Sequence, residues 1–326
     1  MSVENLGRRA TLLLVPALIA GAVMAGSGGK ASAADPDPAA DKERCATRVA
    51  IAFTGKETTA AISANPQGSV DTLVADPAFI ERFSRFINAE FNENPGTMQK
   101  EDASYFLMKH VLENKLPYKD MFVGQFKVDG DMQGNNTTVT ADPTGLGYFR
   151  SQPWLLRYAG NELAGIKLVT AYRIMQNTVG LTLVASTNAP GAAIDTAART
   201  SNPGCIGCHG GADKAAPAPW FALDRAARVL TKVVRQGNNV TFTAPTEIPQ
   251  TVADKAVNND KELVEALVES PNFSFNVCRL SFKFLYGRPE NACESKVFDA
   301  CVNEFKSKGT IQAALASVAK DPGFCQ

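Results

Sequence analysis

Leu263-Val264-Glu265-Ala266-Leu267-Val268-Glu269-Ser270-Pro271-Asn272-Phe273 is the stretch that decides the fold class. Leu263, Val264, Leu267 and Val268 recur at the spacing of one helical face. Ser270-Pro271 then ends that helix and starts another, because serine suits an N-cap and proline the first helical position. The second helix carries its own apolar stripe, Phe273, Val277, Leu280 and Phe284. Further on, Val297, Cys301, Val302 and Phe305 mark a third helix, and Ile311, Leu315 and Val318 a fourth.

The same grammar extends toward the N-terminus. Asp76-Pro77 pairs an N-cap with a proline at the first position, and Phe79, Ile80, Phe83, Ile87 and Phe91 follow as one buried stripe. Helices are also expected over 105–112, 118–126, 153–158 and 163–183. Residues 221–234 read as an amphipathic helix with Asp224, Arg225, Arg228 and Lys232 on its outer face. Strand is limited to a short hairpin within 127–143 and a segment at 240–243. The expected class is mainly α: a helical N-terminal region over 45–200 and a helical C-terminal region over 201–326.

Residues 1–33 read as an export signal. Arg8-Arg9 precede an apolar run over 11–25, and Ala31-Ser32-Ala33 supplies a small-x-small cleavage site. The run is shorter than a membrane span requires, so no stable membrane insertion is expected after cleavage, and residues 34–44 read as a linker. The whole chain has 33 basic and 33 acidic side chains. Residues 1–33 hold three of the former and one of the latter, which leaves 30 and 32. That balance offers no basic face, so nucleic acid is excluded as an expected partner.

Cys205-Ile206-Gly207-Cys208-His209 carries the chemistry. Two thiols at this spacing add across the two vinyl groups of one porphyrin, and the adjacent histidine reaches the iron from the same side. A zinc site would need a second ligand pair nearby, and a thioredoxin-like pair would follow a strand, whereas this motif follows Asn202-Pro203-Gly204 in what reads as a loop. The expectation is one covalent haem c, with Cys205 and Cys208 as thioethers, His209 as the proximal iron ligand, and Trp220 and Phe221 as candidate haem-packing side chains. Residues 210–326 contain no methionine and no further histidine. A sixth ligand from the protein would therefore come from the N-terminal region, with His110 the first candidate and Met175, Met108 and Met121 the alternatives. Lysine, water or an open position complete the choices.

Five cysteines remain outside the motif: Cys45, Cys278, Cys293, Cys301 and Cys325. Cys293 and Cys301 lie eight residues apart on one expected helix, about 12 Å along its axis, too far to bridge. Disulfides are expected between elements instead, for example from Cys278 or Cys301 to Cys325, with one thiol left over. Asp129-Gly130-Asp131-Met132-Gln133-Gly134 mimics the start of a calcium loop, but Thr140 stands where the bidentate glutamate belongs, so it reads as a turn. Arg288 after Gly287 reads as a helix-capping residue, with contact to a haem propionate as the alternative.

Asn202-Pro203-Gly204-Cys205-Ile206-Gly207-Cys208-His209 resembles the haem segment of the planctomycete-type cytochrome c family. Downstream, Trp220-Phe221-Ala222-Leu223-Asp224 is similar to the second half of that family's Met-Asp-Pro-x-Gly-Phe-x-Leu-Glu element, while Gly210-Gly211-Ala212-Asp213-Lys214 replaces its first half. The stretch quoted at the outset, Leu285-Tyr286-Gly287-Arg288, and Lys320-Asp321-Pro322-Gly323-Phe324 resemble its closing helical domain. Phe53-Thr54-Gly55, Asp76-Pro77-Ala78-Phe79 and Leu116-Pro117-Tyr118 resemble its N-terminal helical region. The resemblance implies an all-helical, haem-bearing, exported protein and no defined reaction. The functional expectation is an exported, periplasmic electron carrier or electron-transfer subunit with redox protein partners. The alternative is a haem enzyme with an open sixth position acting on peroxide, oxygen or a small molecule.

Overall fold

The computed structural model describes residues 37–92, 94–96, 102–129, 137–151, 154, 168–183, 203–210, 218–230, 232–236, 239–243 and 249–326. The export segment 1–33 and most of the calcium-like loop lie outside them. The chain is mainly α, as the periodicity predicts. Helix α1 (Pro38–Thr54) begins inside the segment read as a linker, because Cys45, Ala46, Val49, Ala50 and Phe53 make a buried stripe that low-complexity residues 34–44 conceal. Gly55, at φ 67°, closes it by donating to the Ile51 carbonyl at 3.0 Å. Short helices α2 (Ala60–Ala64) and α3 (Val70–Leu73) lead to α4 (Pro77–Phe91), where Asp76 accepts from the Ala78 N–H at 2.7 Å, as its N-cap position requires. Such a cap stabilises a helix by about 1 kcal/mol.

Helix α5 (Ala103–Glu113) packs against α4. The next helix, α6 (Asp120–Val123), is shorter than expected, because Phe126 already belongs to a strand. Strands β1 (Phe126–Asp129) and β2 (Thr138–Ala141) pair antiparallel, with Phe126 opposite Ala141 and Asp129 opposite Thr138. Then come α7 (Leu168–Val179), α8 (Pro203–His209) and α9 (Ala222–Arg228). The amphipathic segment 221–234 thus divides. Helix ends at Arg228, Val229 and Leu230 are buried, and Lys232 opens strand β3 (Lys232–Gln236), which pairs with β4 (Asn239–Thr243).

A third hairpin, β5 (Gln250–Val252) with β6 (Lys255–Val257), turns through Ala253 and Asp254, both at positive φ as a two-residue hairpin turn demands. It buries Val252 and Val257 and leads into α10 (Asp260–Val268). There Asn259 accepts from the Glu262 N–H at 2.9 Å, and the Glu262 carboxylate accepts from the Asn258 N–H at 2.8 Å. Helix α11 (Pro271–Tyr286) starts at the expected Ser270-Pro271 boundary and stops at Gly287, in the left-handed region at φ 69°. Arg288 does not cap it; its guanidinium forks onto Glu294, at 2.7 and 2.8 Å. Helices α12 (Ser295–Lys308) and α13 (Ile311–Ala319) complete the set. Among the described residues no helix is long and apolar enough to cross a membrane.

Residues from Pro38 to Gln326 form one unit, and α11 lies at its centre. Phe284 packs edge-on to Phe83 and Phe86 of α4, at 5.0 and 5.3 Å between ring centres. Phe273, at the other end, stacks on Tyr118 at 5.9 Å and meets Phe122 edge-on at 5.7 Å. Asn276 donates to the carbonyls of Asn177 and Thr178 at the end of α7, at 3.2 and 3.1 Å. Gly180 follows that end at φ 72°, where an added Cβ would come within 2.6 Å of the Asn276 side-chain oxygen.

The cysteine pairing differs from the expected example. Cys325 bonds Cys45, and Cys278 bonds Cys301. Helix α1 packs beside the 3-10 turn Pro322–Cys325, while α11 and α12 lie side by side, so each thiol meets a partner that sequence distance hides. Cys293 is the leftover thiol and is exposed.

Two stability outcomes follow from this core. The bridges close segments of 280 and 23 residues. With a closure term that grows as 1.5RT ln n, the longer one contributes about 2 kcal/mol more. In urea unfolding, Cys45→Ala with Cys325→Ala should cost that much more than Cys278→Ala with Cys301→Ala; equal losses would contradict it. The Tyr118 hydroxyl is buried and has no hydrogen-bond partner among the described residues. Tyr118→Phe should therefore raise the unfolding free energy by about 1 kcal/mol.

Candidate functional site

The haem motif lies on a helix, not in a loop. Asn202-Pro203 is, in sequence, another N-cap and first-position pair, and α8 runs from Pro203 through His209. Gly210, at φ 73°, ends it by donating to the Ile206 carbonyl at 2.9 Å. Positions 205, 208 and 209 are then i, i+3 and i+4 of one helix, which are surface neighbours. That is the physical content of the spacing: positions 205, 208 and 209 fall on one side of a short helix.

Helix α9 supplies the other half of the site. His209 Nδ1 lies 2.9 Å from Asp224 Oδ2. The Asp224 side chain is 6% exposed and that of His209 29%. The expectation that Asp224 faces outward is therefore corrected: α9 is only two turns long, packs on α7 and β5, and carries Asp224 inward with Ala226 and Ala227. The Phe221 ring centre is 5.1 Å from that of His209.

Residues 219 and 220, just ahead of α9, are tied down at several points. Trp220 N–H donates to the Cys208 carbonyl at 2.8 Å. Arg225 donates to the carbonyls of Pro219 and Trp220 at 3.1 and 2.9 Å, and Arg228 to that of His209 at 3.4 Å. These contacts hold Trp220 and Phe221 beside the motif although the two side chains are 70% and 50% exposed.

The donor set fits a haem. A ligating histidine characteristically engages its other ring nitrogen with a carboxylate or carbonyl, and Asp224 provides the carboxylate. Cys208 is a partly exposed, unpaired thiol, and Phe221 and Trp220 give apolar contact surface. Among the described residues there is no cluster of three or more His, Cys, Asp and Glu side chains that would suit a bare metal ion.

The sixth-ligand candidates are scattered. His110 lies on α5, which packs on α4, α6 and the β1–β2 hairpin; its Nδ1 is 3.3 Å from the Asn114 side-chain nitrogen and its ring meets Phe126 edge-on at 5.0 Å. Met108 and Met121 are fully buried in the N-terminal core. Met175 is buried on α7, the helix against which α9 packs. The structure thus groups Asp224, Phe221 and Trp220 with His209, and sets His110 in other company. Asp224 is the site residue that sequence reasoning missed. Its signal was the acidic end of Phe221-Ala222-Leu223-Asp224, fifteen residues beyond His209.

Comparison with known proteins returns no match: no family model, no curated protein and no solved structure matches the chain.

Proposed function

We propose that this chain is an exported monohaem c-type cytochrome that works in electron transfer. The observation that carries the reading is the pairing of His209 with Asp224 at 2.9 Å within a Cys-x-x-Cys-His helix. A surface histidine in a merely structural helix has no need of a buried carboxylate behind it. An iron-binding one does, because the bond fixes ring orientation and tautomer. Bound haem supplies a one-electron couple. The chain's own residues would anchor it through Cys205 and Cys208, ligate it through His209 Nε2, and shelter one side with Phe221 and Trp220. Donors and acceptors would dock where the haem edge meets solvent.

Two disulfides suit an oxidising compartment, which supports export and, with the N-terminal signal, a periplasmic location. The likeness of residues 202–209, 263–273 and 285–288 to the planctomycete-type cytochrome c family supports the same reading. His110, Met108 and Met121 sit on α5 and α6, whereas α9 packs on α7 and β5, which supports one other reading: a haem enzyme with an open sixth position.

The test is a set of optical spectra of the exported protein, oxidised, reduced, and reduced under carbon monoxide. Haem should survive denaturation on a gel, and Cys205→Ser with Cys208→Ser should abolish that signal. A sharp low-spin reduced spectrum indifferent to carbon monoxide is the expected outcome for a carrier. A high-spin ferrous form that binds carbon monoxide at once would replace the carrier by the enzyme. Absence of covalent haem would overturn both.

A further inference from the structure

We propose that Asp224 is the positioning residue of the haem site: its carboxylate accepts the Nδ1 hydrogen of His209, fixes Nε2 as the iron-facing nitrogen, and strengthens the donation of electrons from that nitrogen. The inference rests on the haem reading and adds a specific prediction about iron chemistry.

The contact is built, not incidental. Asp224 and His209 are on different helices, 2.9 Å apart, and one backbone bond and one side-chain bond join the two elements beside them. Trp220 N–H to the Cys208 carbonyl and Arg228 to the His209 carbonyl tie the two elements together, while Arg225 holds the carbonyls of Pro219 and Trp220 ahead of α9. Helix α9 is in turn packed on α7, whose end is held by Asn276 of α11. Moving the carboxylate away would require breaking that chain of contacts, so the imidazole has little freedom to rotate.

The identity of the acceptor matters. A neutral carbonyl in this place would orient the ring and polarise it weakly. A carboxylate forms a charge-assisted bond, roughly twice as strong, and draws the Nδ1 proton toward itself. The ring then gains negative character, and Nε2 becomes a stronger donor. A stronger donor stabilises the oxidised iron over the reduced one, so the couple lies lower than it would with a neutral acceptor. Asparagine at this position is close to isosteric, but it presents either a weaker oxygen acceptor or an amide donor that selects the wrong tautomer, as amide replacement of a histidine-orienting carboxylate does elsewhere.

The experiment uses the exported, haem-loaded protein. Haem staining of the unaltered protein after denaturation comes first and tests the haem reading by itself; no covalent haem ends both claims. Redox titration then compares it with Asp224→Asn and Asp224→Glu. At the potential where the unaltered protein is half reduced, D224N should show a ferrous-to-ferric ratio about tenfold higher, equivalent to about 59 mV for one electron. D224E, which keeps the carboxylate, should lie nearer the unaltered protein. A D224N ratio changed less than threefold, or changed in the opposite sense, overturns the positioning role while leaving the haem reading intact. If D224N does not fold, the unaltered protein decides: NMR with nitrogen-15 histidine should show a slowly exchanging His209 Nδ1 proton, and its absence refutes the proposal.

Discussion

Helix α11 shows solvent only one stripe, carrying Asn272, Arg279 and Lys283. Phe273, Val277, Cys278, Leu280, Phe282 and Leu285 are buried over the rest of its circumference, together with Ser274, Asn276 and Ser281. A helix with so wide a buried face must be enclosed by other elements, and that requirement arranges the molecule. Helix α4 covers one side with Phe79, Phe83 and Phe86, α12 is bonded to another through Cys278–Cys301, and Tyr118 and Phe122 close the end at Phe273. The buried polar groups on it are satisfied locally or used as fasteners: Ser281 donates back to the Val277 carbonyl, and Asn276 holds the end of α7.

The candidate site inherits its geometry from that helix at one remove. Asn276 fixes α7, α7 supports α9, and α9 brings Asp224 to His209. The motif helix itself has only seven residues, too few to hold its shape in isolation. It is held by the Trp220 N–H on the Cys208 carbonyl and by the Arg228 side chain on the His209 carbonyl. The arrangement resembles a bracket: a short element clipped to a better-supported one, with the exposed Phe221 and Trp220 on the outside.

What the sequence made legible was local. Ser270-Pro271 and Asp76-Pro77 mark helix starts because capping is a contact between neighbours, and stripes such as Phe79, Phe83, Ile87 and Phe91 follow from one helical period. Helix α9 shows the limit. The period over 221–234 could not reveal that helix gives way to strand after Arg228, although Val233-Val234 ahead of Gly237-Asn238 and Val240 is a hairpin signature in retrospect. That error put Asp224 on the wrong face and hid the partner of His209. The β5–β6 turn at Ala253-Asp254 was silent for a different reason: no glycine announces its positive φ values. Cysteine pairing depends on which helices meet across the fold, and composition carries no record of it.

The bridge between Cys45 and Cys325 sets an order of events. A chain synthesised N-terminus first presents the Cys45 thiol 280 residues ahead of its partner, and Cys205, Cys208, Cys278, Cys293 and Cys301 all pass in the interval. The longest ring of this fold can therefore close correctly only after Cys325 has emerged, when five other thiols have already had the chance to close a wrong one.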